Sequence, residues 1–290
     1  MNDFTPDVAS GKGRNDENFP VGSRLISAAH RPHVHAYYGF ARAIDDIADN
    51  SLLPPQVKID RLGAMQATLL GGLPGGPGPS DGLNPGERAH AHRLHASLAV
   101  TGIDPSTATD LIVAFRQDAV KHRYESWDEL VEYCRYSANP VGRYLLALHG
   151  EGPASLPASD ALCTALQVLN HLQDCADDLA TLDRCYIPLP WLAAEGLDVT
   201  VLQGERGTAG FRRVLDRLLD EVDRLNRQAS RLPGLVSDRR MRLEAAVIVR
   251  LSHRLAARLR REDPLAGRVK LRRADVARSL LGASRAWRRG

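Results

Sequence analysis

Two short stretches concentrate oxygen ligands in a chain otherwise rich in Leu and Ala. The stretch "YYGFARAIDDIADN" (37–50) carries Asp45, Asp46 and Asp49, and "NHLQDCADDLATLDRCYIP" (170–188) carries Asn170, Asp174, Asp177 and Asp178. Residues four apart share a helix face, so Asp45 points with Asp49 and Asp174 with Asp178. Asn170 falls one turn before Asp174. Like charges at this spacing destabilise an isolated helix by a few tenths of a kcal/mol, so something positive should compensate. Mg²⁺ suits such a donor set, because it takes hard oxygen ligands and uses one or two carboxylates alongside phosphate oxygens and water. Two facing helices of this kind could hold Mg²⁺ around a diphosphate and neutralise it as its C–O bond breaks. A solvated acidic patch is the plainer reading of one such pair, and spacing alone leaves both readings open.

The elements that position these residues read as helices. Val34, Tyr37, Tyr38, Ala41, Ile44 and Ala48 recur at spacings of three and four, which predicts a helix over about 28–50. "NSLLPP" ends it, since proline disfavours helical geometry in the residue before it. Further helices are expected at about 56–70, 87–101, 105–122, 126–149 and 159–181. A short helix near 189–195 follows, then long amphipathic segments at 208–231, 238–262 and 272–288. Ser126 and Glu129 have capping-box spacing. Residues 71–87, "GGLPGGPGPSDGLNPGE", read as a flexible loop. The expectation is one all-α domain of eight to ten helices over 19–290, behind a flexible leader at 1–18.

Composition agrees with that class and narrows function. Of 290 residues 43% are hydrophobic, which is ample for a core, and β-branched runs are few. A net charge of +3 is too small to argue for nucleic acid. Its distribution is uneven, however: from Arg250 onward Arg and Lys far outnumber Glu262, Asp263 and Asp275. Such a basic end reads either as a solvated face or as a patch for anionic lipid, diphosphate or nucleic acid. Cys134, Cys163, Cys175 and Cys185 show no C-x-x-C pairing and read as reduced thiols. No apolar run approaches the roughly 20 residues that span a bilayer, and the first residues lack an apolar signal core. A cytoplasmic protein, peripheral at the inner membrane surface at most, is expected. G-x-G-x-x-G, Walker A and G-x-S-x-G motifs are absent, so dinucleotide, P-loop and α/β-hydrolase chemistries are unsupported.

Other chemistry-bearing residues are less pointed. His30, His33 and His35 cluster, as do His90, His92 and His95, without zinc-site spacing. His171 sits inside the second acidic stretch but one step round from Asn170. Tyr136 follows Tyr133 by three and reads as either a cavity or a structural tyrosine. Asp118 and Arg123 read either as a local ion pair or as groups that steer a diphosphate.

The two acidic stretches, with "YCRYSANPVG" (133–142) between them, resemble the squalene/phytoene synthase family of head-to-head isoprenoid synthases. The likeness runs over roughly 17–260. It implies an all-α isoprenoid-synthase bundle with a central cavity, Asp pairs at the mouth and isoprenoid chains in the depth. By that resemblance Asp45, Asp49, Asp174 and Asp178 are the metal-binding carboxylates, and Mg²⁺ is the cofactor. Arg42, Asn170 and Gln173 fall at substrate-binding positions, and Tyr38, Tyr133 and Tyr186 lie near the diphosphate or the cation. Gln173 stands where many members carry Arg, "SANP" replaces a small-residue stretch, and "ENFPVGS" (17–23) replaces a Ser-rich opening. These departures resemble the bacterial hydroxysqualene synthase branch, which implies presqualene diphosphate and water as substrates. They also imply functional coupling to a presqualene diphosphate synthase and a hydroxysqualene reductase. Condensation of two prenyl diphosphates is the alternative within the fold, and a non-catalytic helical scaffold the alternative outside it.

Overall fold

The computed structural model describes residues 26–72 and 82–287. These form thirteen α-helices, and their only β-type pairing is an isolated bridge between Tyr124 and Pro188. In chain order they are α1 (Arg31–Asp49), α2 (Pro55–Leu69), α3 (Pro85–Thr101), α4 (Ser106–Asp118), α5 (Trp127–Ser137) and α6 (Asn139–Leu148). Next come α7 (Leu156–Gln173), α8 (Cys175–Leu182), α9 (Leu189–Ala193), α10 (Ala209–Ala229), α11 (Leu232–Leu235), α12 (Arg239–Leu259) and α13 (Arg273–Trp287). Among the described residues no helix is long and apolar enough to cross a membrane. The expected leader at 1–18 and the "ENFPVGS" stretch lie outside the described residues, as does 73–81 of the expected loop.

Local chemistry explains most helix ends. Asn84 and Glu87 form a full capping box at the start of α3, so 85–87 is helix rather than loop, and left-handed Gly102 closes it. At α5 only half of the expected box forms. Ser126 accepts from the Glu129 N–H at 3.1 Å, while the Glu129 carboxylate turns to the Glu125 N–H and to Lys121. Thr208 and Asp238 cap α10 and α12 through their side chains.

Two predicted helices are each split. The 126–149 segment breaks at Ala138 (φ −128°, ψ −44°), because Pro140 cannot donate to the preceding turn and its ring crowds that turn's carbonyl. The 159–181 segment breaks at Asp174 (φ −106°, ψ 7°). The ladder is kept on either side, with the Asp174 N–H donating to Asn170 and the Asp178 N–H to Asp174.

Helix α7 is the centre of the packing. It is apolar nearly all round, burying Leu162, Ala165, Leu166, Val168, Leu169 and Leu172, and it contacts α5, α6, α10 and α12. Against it α10 lays one stripe of Leu215, Leu218, Leu219 and Val222, with its charges outward. Helix α6 meets α7 closely at Gly142, where a Cβ would fall 2.5 Å from Ser159 Oγ and 2.6 Å from Cys163 Sγ. Gly142→Ala is therefore expected to cost about 1–3 kcal/mol, read as a lowered urea midpoint. All four cysteines are free thiols.

Candidate active site

A cavity of about 320 Å³ opens between α1, α4–α8 and α12. One face of α1 lines it with Val34, Tyr38, Ala41, Arg42, Asp45 and Asp49, the three-and-four spacing of a single helix side. The α7–α8 junction adds Asn170, His171, Asp174 and Asp178. The two acidic stretches, far apart in sequence, thus border one cavity.

Asp45, Asp46, Asp49 and Asp174 are each matched with a guanidinium, and Asp178 lies 3.8 Å from the His171 ring. Arg42 reaches Asp45 at 3.2 Å and Asp46 at 3.4 Å along α1. Arg184, only 5% exposed, donates to Asp49 Oδ1 at 2.6 Å and to the Ala48 carbonyl at 3.1 Å, tying the end of α8 to α1. Arg268 lies 2.6 and 3.0 Å from the two oxygens of Asp174. Neither Arg184 nor Arg268 was singled out by sequence reasoning.

Arg184 is aimed by local backbone geometry. The preceding Asp183 has φ 52°, the left-handed region that Asp tolerates better than most residues. Arg123 fixes it by bonding both its carboxylate, at 2.5 Å, and its carbonyl, and His122 approaches at 3.3 Å. The Arg123 hydrogen bond holds the Asp183 carboxyl below its ordinary range. Arg123 thus pairs with Asp183 and not, as expected, with Asp118. Burial opposes the charge on Arg184, yet Asp118, Tyr186 and Asp49 together hold the guanidinium more firmly protonated than usual.

Beneath this rim Asp118 organises aromatic rings. It is buried on α4 and accepts from Tyr133 at 2.8 Å and Tyr186 at 3.3 Å, one hydroxyl on each oxygen. The Tyr133 and Tyr186 rings are 5.4 Å apart, and Tyr124 stacks on Tyr186 at 5.5 Å. His171 lies flat against Tyr186 at 3.5 Å. Burial lifts the Asp118 carboxyl to about 6, against the pull of Arg184 and the Tyr133 hydrogen bond. Both phenols are raised well above their ordinary value, chiefly by burial and then by Asp118. They are hydrogen-bond donors at neutral pH.

Of the residues expected at the site, Tyr38, Tyr133, Tyr186, Arg42, Asn170, Asp45, Asp49, Asp174 and Asp178 all border the cavity. Gln173 does not. It is 3% exposed, and its amide donates to the Val269 carbonyl, because at the last turn of α7 it faces the segment leading to α13. That contact holds the chain beside Arg268, which brings a guanidinium to Asp174 from a distant part of the sequence. Tyr136 packs under Arg135 (5.4 Å) and is not part of the cavity wall. His33 and His95 bond Ser97 and the Leu69 carbonyl.

The donor set on the rim is entirely oxygen, which fits Mg²⁺. Among the described residues no three His, Cys, Asp or Glu side chains stand close enough to hold an ion alone.

The family model described as squalene/phytoene synthase matches residues 13–275, and the chain belongs to that family. Hydroxysqualene synthases are among its similar relatives. That of Rhodopseudomonas palustris is 40% identical over 277 residues, covering 96% of this chain and 91% of the relative. That of Sinorhizobium fredii is 40% identical over 269 residues, covering 92% and 88%. The crystal structure of a squalene synthase from Alicyclobacillus acidocaldarius superposes with a TM-score of 0.70 at 31% identity, covering 83% of this chain and 87% of that one.

Proposed function

We propose that this enzyme converts presqualene diphosphate and water to hydroxysqualene and diphosphate, a step of squalene and hopanoid biosynthesis. The observation that carries the reading is 40% identity to hydroxysqualene synthases over nearly the whole chain. The cavity supports it, with carboxylates and guanidinium groups at its rim and tyrosine rings below.

Asp45 and Asp49 from α1, and Asp174 and Asp178 from the α7–α8 junction, are the oxygens that hold Mg²⁺, with Asn170 beside them. When bound, Mg²⁺ neutralises the departing diphosphate as a Lewis acid. Arg42, Arg184 and Arg268 pair with Asp45, Asp49 and Asp174, and would share a diphosphate's charge with the metal. As the C–O bond breaks, its electrons leave with the diphosphate and a carbocation remains. The faces of Tyr38 and Tyr133 stabilise it, each by on the order of 1–2 kcal/mol when desolvated, while Tyr186, stacked against His171, backs that wall of the cavity. The cyclopropylcarbinyl cation rearranges as ring C–C bonding breaks to give the linear skeleton, and water then forms the new C–O bond and gives up one proton. No nicotinamide enters, because the cation is quenched by water rather than hydride.

Asp118 is a positioning residue in this scheme. Ionised, it accepts both phenolic hydroxyls and fixes both rings. Protonated, one of its oxygens becomes a donor, and the pair of accepted phenolic bonds that fixes the rings is replaced by a weaker pattern. Turnover is expected to fall below about pH 6, where the Asp118 carboxyl titrates. Asp118→Asn should lower kcat on the order of 10- to 100-fold, through misplaced rings, with little change in KM. It should also remove the acidic limb of the kcat profile, which a merely structural role would leave in place.

The substrate must come from a condensing prenyl synthase, and the product alcohol must pass to a reductase. The rival within the fold is condensation of two prenyl diphosphates. Incubation with farnesyl diphosphate alone decides between them: diphosphate release would favour the rival, and release only from presqualene diphosphate favours the present reading.

A further inference from the structure

Helix α13 packs against the protein the wrong way round for a soluble surface helix. Over 273–283, the part of the helix whose side chains are described, the buried positions are Asp275, Ser279 and Ala283, whereas Val276, Leu280 and Leu281 are 38%, 45% and 73% exposed. Ala274 and Ala277 are exposed as well. A helix resting on a core normally turns its apolar stripe inward.

The inversion is held by a ladder of arginines on α12. Arg258 grips Asp275 at 2.7 and 2.9 Å, and Arg254 donates to Ser279 at 3.2 Å. Arg250 lies so close to Gly282 that a Cβ there would fall 2.8 Å from its Nη1. Asp275 also accepts the Arg272 N–H at 2.9 Å, closing the first turn. Three polar or close-packed contacts at successive turns therefore fix which face of α13 looks outward.

The outward face is apolar and its surroundings are basic. From Arg268 to the C-terminus the sequence holds eight Lys and Arg against a single acid, Asp275, which is buried and paired. Lys270, Arg272, Arg273 and Arg278 are exposed. The helix is also tied to the cavity. Arg268 lines the cavity at Asp174, and only five residue steps, at most about 18 Å of chain, lead from it to Arg273.

We propose that α13 is a docking helix for an anionic lipid bilayer. Val276, Leu280 and Leu281 enter the boundary of headgroups and acyl chains, while Lys270, Arg272, Arg273 and Arg278 meet lipid phosphates. An apolar edge bordered by cations is the chemistry of an interfacial helix. The choice of a bilayer over a protein partner rests on the functional reading above, in which substrate and product are thirty-carbon lipids. Docking here would set the diphosphate end of the cavity beside the membrane that stores them.

Co-sedimentation with vesicles tests this on the full chain without substrate. The protein should bind vesicles of phosphatidylglycerol and phosphatidylcholine at least about tenfold more tightly than phosphatidylcholine alone, with binding weakened by high salt. The triple variant Val276→Ser, Leu280→Ser, Leu281→Ser should lose about tenfold in that binding. Its thermal midpoint and its turnover of detergent-solubilised presqualene diphosphate should match the parent. Equal binding by parent and variant would overturn the proposal. So would sedimentation velocity showing a parent dimer that the variant splits, which would make the face a contact between copies. Vesicle binding lost in the variant, in a protein that never turns over presqualene diphosphate, would uphold the docking helix and sink the functional reading.

Discussion

Asp174→Ala is expected to lower turnover by on the order of 10³-fold while the protein stays folded. Asp174 borders the cavity at the break between α7 and α8, its side chain 11% exposed and held by Arg268. On the proposed reading, losing it removes an oxygen that would hold Mg²⁺, and it leaves a guanidinium that no longer balances a carboxylate. On that reading Mg²⁺ would stabilise charge that develops only as the C–O bond breaks, so the effect should fall on kcat more than on KM. Stability should change little, because Arg268 keeps 24% of its side chain in water and can be solvated where it stands. Single-turnover release of diphosphate at several Mg²⁺ concentrations checks this. A parent-like rate at saturating Mg²⁺ would remove Asp174 from the metal site.

Arg184→Met should have the largest effect on stability, about 3–5 kcal/mol. Arg184 is 5% exposed and is the cation that Asp49 and Asp118 both face. Without it two carboxylates, one fully buried, lose their compensating charge. Restoring neutrality should recover much of the loss, so Asp49→Asn with Arg184→Met should be more stable than Arg184→Met alone. The pH dependence has a definite sign. The Asp118 carboxyl is raised to about 6, so between the unfolded value of 3.8 and about 6 the folded state binds more protons than the unfolded state. The contribution of Asp118 to stability therefore falls as pH rises through that window. Removing Arg184 raises the carboxyl further, so Arg184→Met should lose more stability at pH 8 than at pH 5. Urea unfolding at the two pH values measures it, and equal losses would contradict the Asp118–Arg184 coupling.

The sequence made legible what depends on neighbours along a helix. The face of α1 that carries Tyr38, Arg42, Asp45 and Asp49 follows from spacing alone, and the structure keeps it on one side of an unbroken helix. The all-α class followed from composition and periodicity for the same reason. What depends on chain reversals stayed hidden. Arg184 reaches Asp49 only because Asp183 adopts a left-handed turn anchored by Arg123, and no periodicity signals that turn. Arg268 lies in a loop almost a hundred residues beyond its partner Asp174. Gln173 was assigned to substrate by position in a motif, but the break at Asp174 leaves it facing Val269. The split at Ala138 was within reach, since Pro140 cannot sit inside a continuous 126–149 helix. The role of Asp118 was missed because its partners, Tyr133 and Tyr186, come from two other elements.

The most direct test of the central claim is product analysis with presqualene diphosphate and Mg²⁺ in ¹⁸O-labelled water, with no nicotinamide present. The account predicts hydroxysqualene carrying one ¹⁸O in its new hydroxyl, one diphosphate released per product, and loss of both with Asp174→Ala. Presqualene diphosphate recovered intact while farnesyl diphosphate is consumed would contradict it, and would make this chain a condensing synthase of the same family.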